Sequence, residues 1–170
     1  MELYFIRHAI AEPLGKGNKF SDEKRALTEE GRSRTREAAK ALGKLDVEFD
    51  LILTSPLARA VETAEILAGG MGVSRKDIRP TPGLAPGVSA EALLAEIKGL
   101  SGVESVAAVG HQPDLSNLIS KIILDDAGTA SIQLKNGSVC CIDVTETVPR
   151  LRGELVWLLT PKHLRLLAKK

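Results

Sequence analysis

Four residues of this chain pair reactive chemistry with an unusual place in the sequence: Arg7, His8, Arg59 and His111. The apolar-rich run Glu2 to Ile6 leads straight into Arg7 and His8. Asp50 to Thr54, with Leu-Ile-Leu at its centre, leads to Ser55, and Arg59 follows one turn later. Ser105 to Val109 leads through Gly110 to His111. Apolar strands have no need of such residues at their ends. Ligands of open α/β sheets gather outside the carboxyl ends of the strands. If these three runs are parallel neighbours, two arginines and two histidines share one crevice.

The crevice would suit phosphate. Arg59 falls near a helix N-terminus, where a cation is unfavourable by about 0.3–1 kcal/mol. A bound dianion reverses that sign and takes up free N–H groups. Planar guanidinium forks bond two oxygens at once, which matches a phosphoryl group spreading charge over its equatorial oxygens. Metal binding is the other chemistry open to two histidines. The chain lacks the close His or Cys spacings of zinc motifs, so no metal is expected. A lone arginine on a helix is usually solvated, and a histidine after a strand is often structural; spacing alone leaves these plain readings open. His163, in the terminal helix, takes the structural reading.

Strands alternate with helices along the chain. Strands are expected at Glu2–Ile6, Asp50–Thr54, Asp77–Pro80, Ser105–Val109, Ser138–Val144 and Glu154–Leu159. Helices are expected at Thr28–Gly43, from Pro56 with Ser55 as its cap, at Ala90–Lys98, Asp114–Leu124 and Pro161–Ala168. Thr28 is a good N-cap, and Gly31, Thr35, Ala38, Ala39 and Leu42 would form an inner face. In the helix after Ser55 the apolar stripe is Leu57, Ala60, Val61, Ala64, Leu67 and Ala68. This order predicts an α/β layered sheet, mostly parallel. Asn136-Gly137 reads as a tight turn, with antiparallel strands at one edge. The long irregular stretch Ala9 to Ala26 has the length of a functional loop.

With 170 residues the expectation is one domain spanning 1–170. Hydrophobic residues are 44% but aromatics only 3%, so Leu, Ile, Val and Ala must build the core. Lys and Arg number 23 against 22 Asp and Glu, a formal net charge of +1, which gives no reason to expect nucleic acid or an anionic membrane as partner. No apolar stretch is long enough to span a bilayer, and the first residues do not read as a signal peptide. The only cysteines, Cys140 and Cys141, are adjacent and would point to opposite faces of a strand. They read as small apolar residues in a reducing cytoplasm.

The motifs bear a resemblance. Arg7-His8-Ala9 is similar to the signature of the histidine phosphatase superfamily, which usually has Gly in third place. Leu27-Thr28-Glu29-Glu30-Gly31-Arg32 resembles its first-helix motif. Thr54-Ser55-Pro56-Leu57-Ala58-Arg59-Ala60 with Thr63-Ala64 resembles its second motif, and Val109-Gly110-His111-Gln112-Pro113 its late histidine motif. The tail Trp157-Leu158-Leu159-Thr160-Pro161 resembles the short bacterial SixA-type phosphohistidine phosphatases. The resemblance implies a three-layer α/β/α, phosphoglycerate mutase-like fold and a metal-independent, cofactor-free phosphatase. His8 would be the nucleophile, and Arg7, Arg59 and His111 would complete the phosphate pocket. An imidazole with one nitrogen free and Nδ1–H given to a backbone carbonyl can attack phosphorus. A cationic His111 would join the arginines once phosphate is bound.

Two departures select the substrate. Ala9 replaces the commoner Gly. The stretch Pro80 to Ser89 contains no carboxylate, where mutase-like relatives place an acid, and it runs directly into a helix without a roof insertion. An alkoxide leaving group gains about 10²–10⁴-fold from a general acid; imidazole leaves a phosphoramidate without one. The expected substrate is a histidine-phosphorylated protein, a phosphotransfer domain among the candidates, and the expected enzyme is a cytoplasmic monomer. One alternative is a small-molecule phosphomonoester phosphatase drawing its acid from Glu12, Asp22, Glu23 or Asp114. The other is a non-catalytic phosphate-binding docking module.

Overall fold

The computed structural model describes residues 1–14, 21–126 and 128–169. Its frame is a six-stranded sheet of order β3-β2-β4-β1-β5-β6. The strands are β1 (Glu2–Arg7), β2 (Leu51–Thr54), β3 (Ile78–Pro80), β4 (Ser105–Gly110), β5 (Val139–Glu146) and β6 (Arg152–Leu159). β3, β2, β4 and β1 are mutually parallel; β5 runs antiparallel to β1, and β6 antiparallel to β5. β1, β2 and β4 are buried on both faces, as unbroken apolar runs in a parallel sheet require.

Helices cover both faces. α1 (Glu29–Gly43), α2 (Ala58–Met71) and α5 (Pro161–Lys169) pack on one. There Ala38, Leu42, Ala64, Leu67 and Leu164 meet Tyr4, Ile6, Ile52 and Val109. α3 (Ala90–Lys98) and α4 (Asp114–Leu124) pack on the other, with Leu93, Ile97, Leu115 and Ile119 against Phe5, Leu53 and Val106. The result is the expected three-layer α/β/α arrangement with an antiparallel edge. Cys141 belongs to the first face and Cys140 to the second; both are buried free thiols. Burial pushes their pKa values up, to about 12 for Cys140 and about 11 for Cys141.

One local expectation is corrected. Ser55 does not cap a helix that starts at Pro56: α2 starts at Ala58, with Leu57 at its N-cap position and no side-chain cap. The Ser55 hydroxyl accepts the Leu57 N–H at 3.3 Å and lies 2.8 Å from His111 Nε2. Asn136-Gly137 is the expected turn, with Gly137 at φ +81°, and the strands after it form the antiparallel edge. It leads into β5, held to the end of β1 by Gly137 N–H donating to Arg7 O at 3.0 Å. Residues 147–151 join β5 to β6. Of the stretch Ala9 to Ala26, the part with Gly15, Lys16, Gly17 and Lys19 lies outside the described residues.

Candidate active site

Parallel pairing carries the three strand ends to one edge. The ladder continues one residue past the strands: His8 N–H donates to Gly110 O at 3.0 Å, and Ser55 N–H to Val109 O at 2.9 Å. This sets His8, Ser55 and His111 side by side above the sheet. Arg59 reaches them from the second residue of α2. His8, Arg59 and His111 are almost fully buried, 7%, 4% and 4% exposed, so all three meet in a largely dehydrated pocket.

His8 is held in one orientation. Its Nδ1 lies 2.7 Å from the carbonyl oxygen of Ala9, which accepts only if Nδ1 carries the proton. Nε2 then has the lone pair, and the Arg59 Nε–H points at it from 3.3 Å. The His8 and His111 rings stand 5.0 Å apart between centroids, tilted by 56°. Burial pushes the His8 pKa down to about 3; His111, Arg59 and Arg7 push the same way, against the Ala9 carbonyl. His111 is lowered to about 4, by burial and then by Arg59. Both imidazoles are therefore neutral in the unliganded pocket at neutral pH. The expected cationic His111 needs the charge of a bound phosphate to form.

The other contacts fix the rim. Ser55 Oγ is 2.8 Å from His111 Nε2 and orients that ring. Thr63, one turn after Arg59, donates its hydroxyl to Arg59 O at 2.7 Å and accepts Ala9 N–H at 3.2 Å, tying the segment after His8 to α2. Asn136 donates its side-chain amide to His8 O at 3.3 Å. Arg7 is half-buried: Nη1 donates to Leu134 O at 2.7 Å, while Nε is buried with no hydrogen-bond partner among the described residues. α2 opens without a side-chain cap.

Of the four acidic residues weighed as hidden acids, Asp22 reaches the pocket. Arg59 donates Nη1 to the Asp22 carbonyl at 2.8 Å and Nη2 to its Oδ2 at 3.1 Å. Asp22 Oδ1 pairs with Arg25 at 3.1 Å. Burial raises the Asp22 pKa, but the charge and hydrogen bond of Arg59, aided by Arg25, outweigh it and hold the carboxyl below its usual range. Asp22 is thus an anion on the Arg59 fork. Asp114 instead accepts the N–H of Gly87 at 3.2 Å, and Glu12 offers its carbonyl to Arg25. His163 is exposed beside Thr160. Among the described residues no group of three or more His, Cys, Asp or Glu is placed to hold a metal ion.

The sequence patterns pointed to Arg7, His8, Arg59 and His111 but not to how Asp22, Thr63 and Asn136 serve them. In the sequence Asp22 is one of four candidate carboxylates, and Asn136 a turn former. Contacts between residues so distant in sequence have no local signature.

A family model described as histidine phosphatase superfamily (branch 1) matches residues 3–85. An uncharacterized protein of Picosynechococcus sp. is 36% identical over 174 residues, covering 96% of this chain and 99% of that protein. The solved structure of the protein histidine phosphatase SixA complexed with tungstate superposes with a TM-score of 0.84 at 25% identity, over 96% of this chain and 99% of that one. Phosphoserine phosphatase of Entamoeba histolytica in complex with 3-phosphoglyceric acid shares the fold at a TM-score of 0.69 and 21% identity, over 96% and 98% of the two chains.

Proposed function

The chain belongs to the histidine phosphatase superfamily in its short SixA-type form, and on that premise we propose that it removes phosphoryl groups from phosphohistidine on other proteins through a phospho-His8 intermediate. In the first step His8 Nε2 attacks phosphorus, the bond from phosphorus to the ring-protonated substrate imidazole breaks, and its electron pair leaves with a neutral imidazole. In the second, water attacks phospho-His8, the P–Nε2 bond breaks with its electron pair returning to Nε2, and the water's protons leave with the inorganic phosphate. Arg7 and Arg59 hold the equatorial oxygens by charge-assisted bonds. The incoming dianion draws a proton onto His111, which then donates to it. Asp22 cedes its place on Arg59 to the phosphoryl group and stays ionised on Arg25.

The observation that carries this reading is the state of the pocket's carboxylate. Asp22, ionised between Arg59 and Arg25, has no proton to give a leaving group. Such a pocket favours a leaving group that departs unaided, as imidazole does. The similarity to SixA supports the same substrate class. Two free buried cysteines fit a reducing compartment, and we place the enzyme in the cytoplasm, acting as a monomer without cofactor or metal.

A second reading, hydrolysis of small phosphomonoesters, draws on the nearness of Asp22 to the reacting atoms. Comparing a phosphohistidine protein with an alkyl phosphate at one pH separates the two. The expected specificity constant is at least about 10²-fold higher for the phosphohistidine protein, the lower range for a missing general acid. Equal constants would overturn the substrate assignment. Aryl phosphates are a poor probe because their leaving groups need little protonation.

A further inference from the structure

Beside the His8 pocket lies a groove of about 460 Å³ whose lining includes Arg7, Arg34, Lys135, Asn136 and Lys162. It adjoins the pocket. Asn136 bonds His8 O, Gly137 bonds Arg7 O, and Arg7 borders both spaces. Four of the lining residues are cations and none is a carboxylate. Arg34 pairs with Glu30 along α1. Lys135 and Lys162 are exposed and make no ion pair among the described residues, and the buried Nε of Arg7 has no acceptor there. Lys162 also falls in the first turn of α5, where a cation opposes the helix dipole unless an anion is near.

The opposite end of the sheet has the opposite charge. A cleft of about 710 Å³ at the amino ends of the strands is lined by Glu2, Asp46, Glu48, Asp50 and Glu104. A net charge of +1 therefore hides a polarised molecule. Its field turns the basic groove, and with it the His8 pocket, toward a negatively charged partner.

We propose that this groove docks an acidic stretch of polypeptide flanking the phosphohistidine of the substrate protein. The cations come from four separate segments: the end of β1, α1, the turn before β5 and the start of α5. They line an open groove. Two of them are lysines, point charges on flexible stems rather than forks. A second phosphate would want convergent forks; a run of Asp or Glu side chains suits a spread row of ammonium groups. The proposal rests on the phosphohistidine reading, and it adds which phosphohistidines the enzyme prefers.

Synthetic peptides carrying one phosphohistidine, flanked by Asp and Glu, by neutral residues or by Lys, test it. Phosphate release is measured for the unaltered enzyme and for Lys135→Glu/Lys162→Glu, at low and at high salt. The unaltered enzyme should show a kcat/KM about 10-fold or more higher for the acidic peptide than for the basic one at low salt, shrinking as salt screens the charges. The double variant should invert the preference and leave turnover of the neutral peptide unchanged. Equal constants for acidic and basic peptides, or a preference that survives the double substitution, would overturn the groove while the phosphohistidine assignment stands. Hydrolysis of an alkyl phosphate with none of the peptides would overturn the substrate class, and the groove's role with it.

Discussion

At the scale of single residues, reactivity is a matter of which atoms are left free. His8 is buried, gives its Nδ1 proton to Ala9 O and stays neutral, so Nε2 has a lone pair and a fixed direction. The Arg59 Nε–H that points at Nε2 lies within reach of an oxygen on a phosphorus bonded there. Asp22 is the residue whose role most needs an experiment, because it sits on the Arg59 fork proposed to hold phosphate. Asp22→Asn removes a competing anion. Calorimetric titration with inorganic phosphate should show binding about 2- to 5-fold tighter than in the unaltered protein, the size of a partly exposed ion pair, and turnover of phosphohistidine should persist. Unchanged phosphate affinity would show that the contact does not compete. A selective collapse of alkyl phosphate hydrolysis in the same variant would make Asp22 a general acid and favour the ester reading.

At the scale of elements, the pocket depends on how α1 docks behind His8. Thr28 caps α1 by accepting the N–H of Gly31 at 3.0 Å, and the Thr28 N–H donates to Ile10 O at 2.9 Å. Ile10 O therefore presses against the first turn of the helix, and a Cβ on Gly31 would stand 2.2 Å from it. Glu62 on α2 completes the clamp by taking Leu27 N–H at 2.8 Å and pairing with Arg32. Gly31→Ala must push the segment after His8 away. Its stability should fall by about 1–3 kcal/mol, as overpacking does, and its turnover should fall well below that of the unaltered enzyme at temperatures where both are folded. Gly43→Ala, at the other end of the same helix and with open space around its Cβ, is the control and should do neither. Thermal unfolding with steady-state rates checks both, and a fully active, fully stable Gly31→Ala would show that the close approach is dispensable. Much of this was legible in the sequence, because periodicity reports burial: the stripe Gly31, Thr35, Ala38, Ala39 and Leu42 is buried as its spacing implied. The start of α2 was not. Ser-Pro is a common helix opening, and nothing local reveals that Ser55 is needed by His111, 56 residues away. The Asp22–Arg59 contact and the placement of Asn136 are likewise products of tertiary packing.

At the scale of the molecule, the sheet order does the assembling. β1 and β2 each pair with β4, so Arg7, Ser55 and His111 arrive at one edge although they are far apart in the chain. The sheet also separates charge, with carboxylates lining the cleft at its amino ends and cations the groove at its carboxyl ends. The whole arrangement serves one claim, that His8 becomes the phosphoryl carrier. It is tested by mixing enzyme with a histidine-phosphorylated protein, quenching at alkaline pH within the first turnovers, and locating phosphate on the enzyme by mass spectrometry. One phosphoryl group should appear on the enzyme, mapped to His8, lost on acid treatment and absent from His8→Ala, which should fold but not turn over. Substrate consumed at full rate by His8→Ala, or a phosphoryl group found only at another residue, would contradict it.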